Sequence, residues 1–183
     1  MLRQIRSTFR TLSRFNSDSR GTSGIEFAMI LPVMVILYVG CVEVSDSVSN
    51  NRKVAAVASA VGDLAAQSAN LSDGEINDIF DAATAIIAPY SAAPLEMVLT
   101  GVAVDNNGNA RVAWSEARGR TEYSENSTFP LPNRLAQPNT FHVVSEVDYK
   151  YTPLLQSFIG GPITLSETFY LRPRRSTQIS RSS

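Results

Sequence analysis

Residues 27–42 read FAMILPVMVILYVGCV, a stretch without a charged side chain. A helix needs about 20 residues to cross the hydrocarbon core of a bilayer. Adding Ile25 and Glu26 at one end and Glu43 and Val44 at the other reaches that length, roughly 30 Å of helix. The stretch is read as one membrane-spanning helix, with a carboxylate near each polar boundary. Pro32 lies inside it, where a membrane helix tolerates proline; it frees the Ala28 carbonyl and permits a kink. The flanking charge gives the helix a direction. Arg3, Arg6, Arg10, Arg14 and Arg20 stand against Asp18 alone on the N-terminal side. On the other side Glu43, Asp46, Asp63, Asp73, Glu75, Asp78 and Asp81 outnumber Arg52 and Lys53. Arginine clusters stay cytoplasmic, so the N-terminus is expected inside and everything after Val44 outside.

Other readings fit the same residues less well. A cleaved secretory signal requires a small-x-small site soon after the apolar stretch, and Ala58-Ser59-Ala60 lies too far downstream. A lipoprotein signal would use Gly40-Cys41, but Tyr38 stands where a small aliphatic residue is expected. A buried helix of a soluble protein leaves the arginines without a purpose. Cys41 is the only cysteine, so no intramolecular disulfide forms, and it is read as a small packing residue. The overall charge of −1, with 44% hydrophobic and 18% charged residues, excludes a disordered chain and gives no reason to expect a nucleic-acid partner.

The junction ahead of the span is more specific: Arg20-Gly21-Thr22-Ser23-Gly24-Ile25-Glu26-Phe27-Ala28, followed by Pro32 and by Gly40-Cys41-Val42-Glu43. A glycine, four residues, a glutamate and an aromatic resemble the prepilin pattern of Flp/Tad type IV pilus systems. The early proline and the later Gly-x-x-Glu resemble the TadE-like minor pseudopilins, over about residues 20–60. Arg172-Pro173-Arg174 also resembles the end of some members. The resemblance implies cleavage by a prepilin peptidase between Gly21 and Thr22. Glycine suits the scissile position because it has no Cβ to obstruct an extended backbone. Cleavage there would make Glu26 the fifth residue, followed by Phe27. A carboxylate at that depth is costly in lipid, and the resemblance implies a partner that offsets the cost. That partner would be the N-terminal ammonium of a neighbouring subunit or a basic group on the assembly platform. Alternatively, Glu26 sits at the interface near Arg20 and reaches the headgroups. The implied setting is the bacterial inner membrane, single pass, N-terminus cytoplasmic, with membrane lipid, the peptidase, other pilins and pseudopilins, and pilus assembly platform proteins as partners. The implied function is a pseudopilin-like structural subunit supporting biogenesis of a Flp/Tad-type pilus. The alternative is a periplasmic ligand-binding or sensory domain on a permanent anchor. The two differ at Gly21, since an assembly subunit loses residues 1–21 and a fixed anchor keeps them.

Beyond the span, Val54, Val57, Val61, Leu64 and Ser68 step by three and four, a narrow apolar seam. Alanines between them favour helix, so the membrane helix is predicted to continue to about Ala69. The seam could pack on other subunits or on the chain's own domain. Ser72 with Glu75 fits a capping box opening a second helix that carries Ile76, Ile79, Phe80, Ala83, Ile86 and Ile87 and stops at Pro89. Strands are predicted at 97–105 and 110–116 around Asn106-Asn107-Gly108-Asn109, a hairpin signal. A polar, proline-marked loop follows (119–139), then alternating strands at 141–151 and 163–172 separated by a Gly160-Gly161-Pro162 turn. The expected fold is α+β: a long N-terminal transmembrane helix continuing into a periplasmic helix, then a second helix on an antiparallel sheet of about four strands. The expected divisions are a basic cytoplasmic leader (1–21), transmembrane helix (22–44), helical extension (45–69), periplasmic α+β domain (70–172) and disordered basic tail (173–183).

No set of residues suggests catalysis, and the protein is not expected to be an enzyme or to use a metal or cofactor. His142, the only histidine, falls on the polar register of its strand and is read as a surface residue. Asp105, Asn107, Asn109 and Glu116 occupy calcium-loop positions, but Ala110 replaces the required glycine and the alternation fits a hairpin. Trp114 is read as a core or sheet residue rather than a ligand platform.

Overall fold

A computed structural model describes residues 22–153 and 161–182. They fall into two compact units, one ending at Val44 and the other beginning at Ser45. Helix α1 runs over Thr22–Ala66, ending a little before the expected Ala69. In the second unit it is followed by β1 (Asn70–Ser72), α2 (Asp73–Ile86), β2 (Leu95–Val104), β3 (Ala110–Arg118), β4 (Phe141–Tyr151), β5 (Ile163–Leu171) and β6 (Ser180–Ser182). The four long strands form one antiparallel sheet in the order β3-β2-β4-β5. The α+β expectation holds.

Local chemistry accounts for the elements. Ser72 Oγ accepts from the Glu75 amide at 3.3 Å while Glu75 Oε2 accepts from the Ser72 amide at 2.8 Å, completing the capping box of α2. The Ser72 amide and, at 2.9 Å, the Ser72 hydroxyl donate to the exposed Glu75 carboxyl and hold it below its usual range. At the far end of α2, Lys53 reaches from α1 to donate to the carbonyls of Ile86, at 3.3 Å, and Ala88. The β2–β3 hairpin closes where Asp105 Oδ1 accepts from the amides of Asn107 and Asn109, both at 2.8 Å, with Gly108 at φ +82°. The residues considered for calcium are thus engaged otherwise: Asp105 organises the turn and Glu116 accepts from Arg181 Nε at 2.8 Å. Gly161 takes φ +121° just ahead of β5; Gly160 lies outside the described residues.

The main core lies between the helices and one face of the sheet. Val54, Val57, Ala58, Val61 and Ala65 of α1 and Ile76, Ile79, Phe80 and Ala83 of α2 meet Met97, Leu99, Val143, Val147 and Tyr149. The seam therefore packs on the chain's own domain, with Val54, Val57 and Val61 buried as expected, but it departs from the expected line at Leu64, which is 40% exposed, and Ala65 and Ala66 are buried instead. A straight helix turns every 3.6 residues, so a strict three-four stepping drifts off the buried face. Gly62 makes the approach possible, since a Cβ there would stand 2.4 Å from Leu171 Cδ1.

A register shift between Gly101 and Val102 pairs Gly101 with Trp114 but Val102 with Val112, leaving Ala113 unpaired. The bulge switches faces along β3: Trp114 joins the helix-side core and Val112 the opposite side. Trp114 lies over Gly101, where a Cβ would come within 2.4 Å of the indole.

Two expectations are corrected. His142 is not a surface residue but 1% exposed. Its face of the sheet carries a second core, Val102, Val104, Val112 and Val144, covered by Phe129, Tyr123 and Leu131 of the loop between β3 and β4. The polar register faces folded chain there, not water. The tail at 173–183 was expected to be disordered, yet residues 173–182 return to the domain. The Arg174 amide donates to the Ala66 carbonyl at 2.9 Å, its side chain pairs with Asp63, and β6 pairs in parallel with β1. Ile179 enters the core, and Trp114 Nε1 donates to the Ile179 carbonyl at 2.8 Å.

Candidate functional site

The first unit contains the residues singled out for processing and assembly. Gly21 lies outside the described residues, as does the rest of the leader. Thr22 opens α1, and Glu26 and Phe27 follow about one turn later, all three exposed. From Ile25 to Tyr38 every large apolar side chain is exposed: Ile25, Phe27, Met29, Ile30, Leu31, Val33, Met34, Val35, Ile36, Leu37 and Tyr38. They point to all sides of the helix. In water such a surface is untenable, because soluble monomers rarely expose apolar patches beyond a few hundred Å². In hydrocarbon it costs nothing, and the helix satisfies its own backbone hydrogen bonds. This helix is long and apolar enough to cross a membrane and is a candidate membrane anchor. Pro32 sits within it. Cys41, expected to pack, is exposed.

The two carboxylates bounding the stretch differ. Glu26 is exposed, whereas Glu43 is only 5% exposed. No group on the remaining surface of this segment except Glu26 carries a charge until Glu43. The arrangement can hold a helix in lipid and present one carboxylate near its start; among the described residues no group of His, Cys, Asp and Glu could hold a metal ion.

In the second unit, sequence reasoning passed over Asn50. It is fully buried on the stripe of Val54, Val57 and Val61, its Nδ2 donating to the Asp46 carbonyl at 3.0 Å. The spacing of four from Val54 was the available signal. Ion pairs tie the domain's periphery: Arg118 with Asp81 at 2.6 Å, Arg120 with Asp148 at 2.6 Å, and Arg181 with Asp73 and Glu116. Arg118 also lies 5.2 Å from the ring centre of Phe80. Burial costs the Arg181 cation, but its hydrogen bonds to Asp73 and Glu116 outweigh that and raise its pKa. Tyr123 donates to Glu146 Oε1 at 3.2 Å, and burial followed by that carboxylate raises the phenol above its usual range. These contacts are structural.

Residues 21–63 match the family model described as TadE-like protein. The matched segment begins at the glycine of the junction, includes Glu26, Phe27 and the whole apolar stretch, and ends at Asp63 of α1. It leaves α2 and the sheet outside. No curated protein and no solved structure gives a match to the chain.

Proposed function

We propose that this chain is a pseudopilin-like structural subunit that supports biogenesis of a Flp/Tad-type pilus. It is anchored in the bacterial inner membrane by residues 22–44, with the basic leader in the cytoplasm and the α+β domain in the periplasm. The observation that carries this reading is a coincidence of two features. The segment similar to TadE-like proteins, residues 21–63, contains the helix surface whose apolar side chains have no cover. The lower part of α1, from Val54 on, is already used against the sheet. Contacts with other subunits would therefore be made by residues 22–44, by packing of helices in the membrane. Glu26 would select the neighbour through charge, and prepilin peptidase would prepare the subunit by cutting after Gly21. The role is architectural, without a catalytic step.

Topology gives the first test. Alkaline phosphatase fused behind Ser183 is expected to be active, because it folds only after export. Activity confined to cytoplasmic reporters at the same site would reverse the orientation and end this reading. Processing gives the second. Mass spectrometry of the membrane-extracted protein is expected to find Thr22 as the N-terminus, and Gly21→Leu is expected to leave the leader attached by crowding the scissile backbone. Intact leaders in both proteins would instead mark a permanent anchor.

A further inference from the structure

We infer that the cleft between the start of β4 and the segment following β5 binds a small oxyanion, gripped by Arg172. The cleft has a volume of about 190 Å³ and is lined by Asn139, Thr140, Arg172, Ser176 and Thr177 together with Phe141 and Pro173. A water in the liquid occupies roughly 30 Å³, so a sulfate- or phosphate-sized group fits with part of its hydration. Its lining holds a guanidinium, three hydroxyls and an amide, and no carboxylate. That set suits an anion.

Two observations indicate unused binding capacity. Arg172 Nη2 donates to Gln137 Oε1 at 3.0 Å, yet among the described residues no carboxylate pairs with it. Arg118, Arg120, Arg174 and Arg181 all have one. A guanidinium presents a planar fork suited to bidentate oxyanion contacts. Ser176 Oγ is buried without a hydrogen-bond partner among the described residues, and turning it toward an oxyanion in the cleft would supply one.

The cleft also has a built-in reporter. Thr140 Oγ1 lies 3.2 Å from His142 Nε2, which is 2.9 Å from the Leu135 carbonyl oxygen. Burial holds the His142 pKa below its usual value, and the Arg172 charge lowers it further. An anion on Arg172 cancels that charge and lets the His142 pKa rise. As His142 is the only histidine, its ring signals can be followed by NMR without ambiguity.

The experiment uses the full chain in nonionic detergent micelles, titrated with sodium sulfate and, separately, with sodium chloride at equal ionic strength. Sulfate keeps its charge across the pH range in which histidine titrates. The expected result is a saturable shift of the His142 ring with sulfate alone, accompanied by a raised His142 pKa. Arg172→Gln is expected to weaken binding roughly tenfold or more, as loss of a charged hydrogen bond does, and to abolish the pKa response. Arg172→Lys keeps the charge without the fork, so binding weakens while the response remains. A second arm adds phosphatidylglycerol to the micelles; saturation by lipid but not by sulfate makes a headgroup the source of the same chemistry. Equal effects of sulfate and chloride with no lipid response overturn the proposal, as does an Arg172→Gln protein that responds like the wild type.

Discussion

A chain stopped after Arg172 is expected to lose about 3–8 kcal/mol of folding stability, chiefly from an emptied Ile179 site and an unpaired indole N–H. Ile179 is 2% exposed within the main core, and removing a buried side chain of that size costs about 2–5 kcal/mol. Trp114 Nε1 loses its acceptor, the Ile179 carbonyl, and a buried donor left unmet costs about 1–3 kcal/mol. Loss of the Arg174 amide also uncaps the Ala66 carbonyl at the end of α1. The ion pairs of Arg181 and Arg174 add less, because Asp73 and the Arg174 side chain are largely exposed. Since whole domains are stable by only about 5–15 kcal/mol, the shortened chain should unfold at much lower denaturant. Urea titration of the full and shortened chains, followed by fluorescence of Trp114, measures it. Ile179→Ala separates the core term and is expected to account for about 2–5 kcal/mol alone. Coincident urea midpoints for all three proteins would mean that residues 173–182 do not hold the core.

That segment shows where sequence reading stops. Ser72 and Glu75 announce α2 because both partners of the capping box lie three residues apart. The Asn-Gly turn announces the β2–β3 hairpin for the same reason. The return of residues 173–182 has no such local sign. Strand β6 spans Ser180–Ser182 and pairs with Asn70–Ser72, too short for any alternation and too distant in sequence to be inferred. Its one core residue, Ile179, stands among arginines and hydroxyls that read as a solvated tail. His142 failed differently. The alternation of β4 correctly separates two faces of the sheet, but it does not say what covers each. Loop residues Tyr123, Phe129 and Leu131 close over the second face, and only the folded chain reveals that. Leu64 failed through period, since the narrow seam of a coiled coil differs by a residue from the broader face that a helix lays on a sheet.

The segment similar to TadE-like proteins is legible because its residues are contiguous in sequence. Gly21, Glu26, Phe27 and the apolar stretch stand together in sequence between residues 21 and 42. Three-dimensional structure adds which part of α1 remains available. Val54, Val57, Ala58, Val61 and Ala65 are committed to the core, whereas the large apolar side chains from Ile25 to Tyr38 stay exposed. Asn50 was legible only through its spacing of four from Val54, since a polar residue on a helix is ordinarily read as solvent-facing.

Replacing Glu26 with glutamine should separate membrane insertion from assembly. A carboxylate near the middle of a membrane helix costs about 2.5–3.5 kcal/mol on insertion scales, and less near an end. Glu26 lies close to the start of α1, so the neutral amide should insert as well as the native residue or slightly better. Assembly is different. If Glu26 meets the N-terminal ammonium of a neighbour in lipid, glutamine leaves that cation buried without its counter-charge. An unpaired buried charge costs about 3–5 kcal/mol, equivalent to a loss of roughly two to nearly four orders of magnitude in the contact's equilibrium constant. Piliation should therefore collapse while the membrane-resident amount stays normal. A glutamate that merely reaches the headgroups predicts little change in either quantity. The measurement expresses Glu26→Gln in cells lacking the native protein and determines membrane-resident protein and pili together. Glu26→Asp, which keeps the charge on a shorter stem, should restore part of the piliation. Normal pili with glutamine would eliminate charge pairing as the selecting contact, whatever the fate of the leader. Normal insertion, absent pili and partial rescue by aspartate would together identify the charge itself as what the neighbouring subunit recognises.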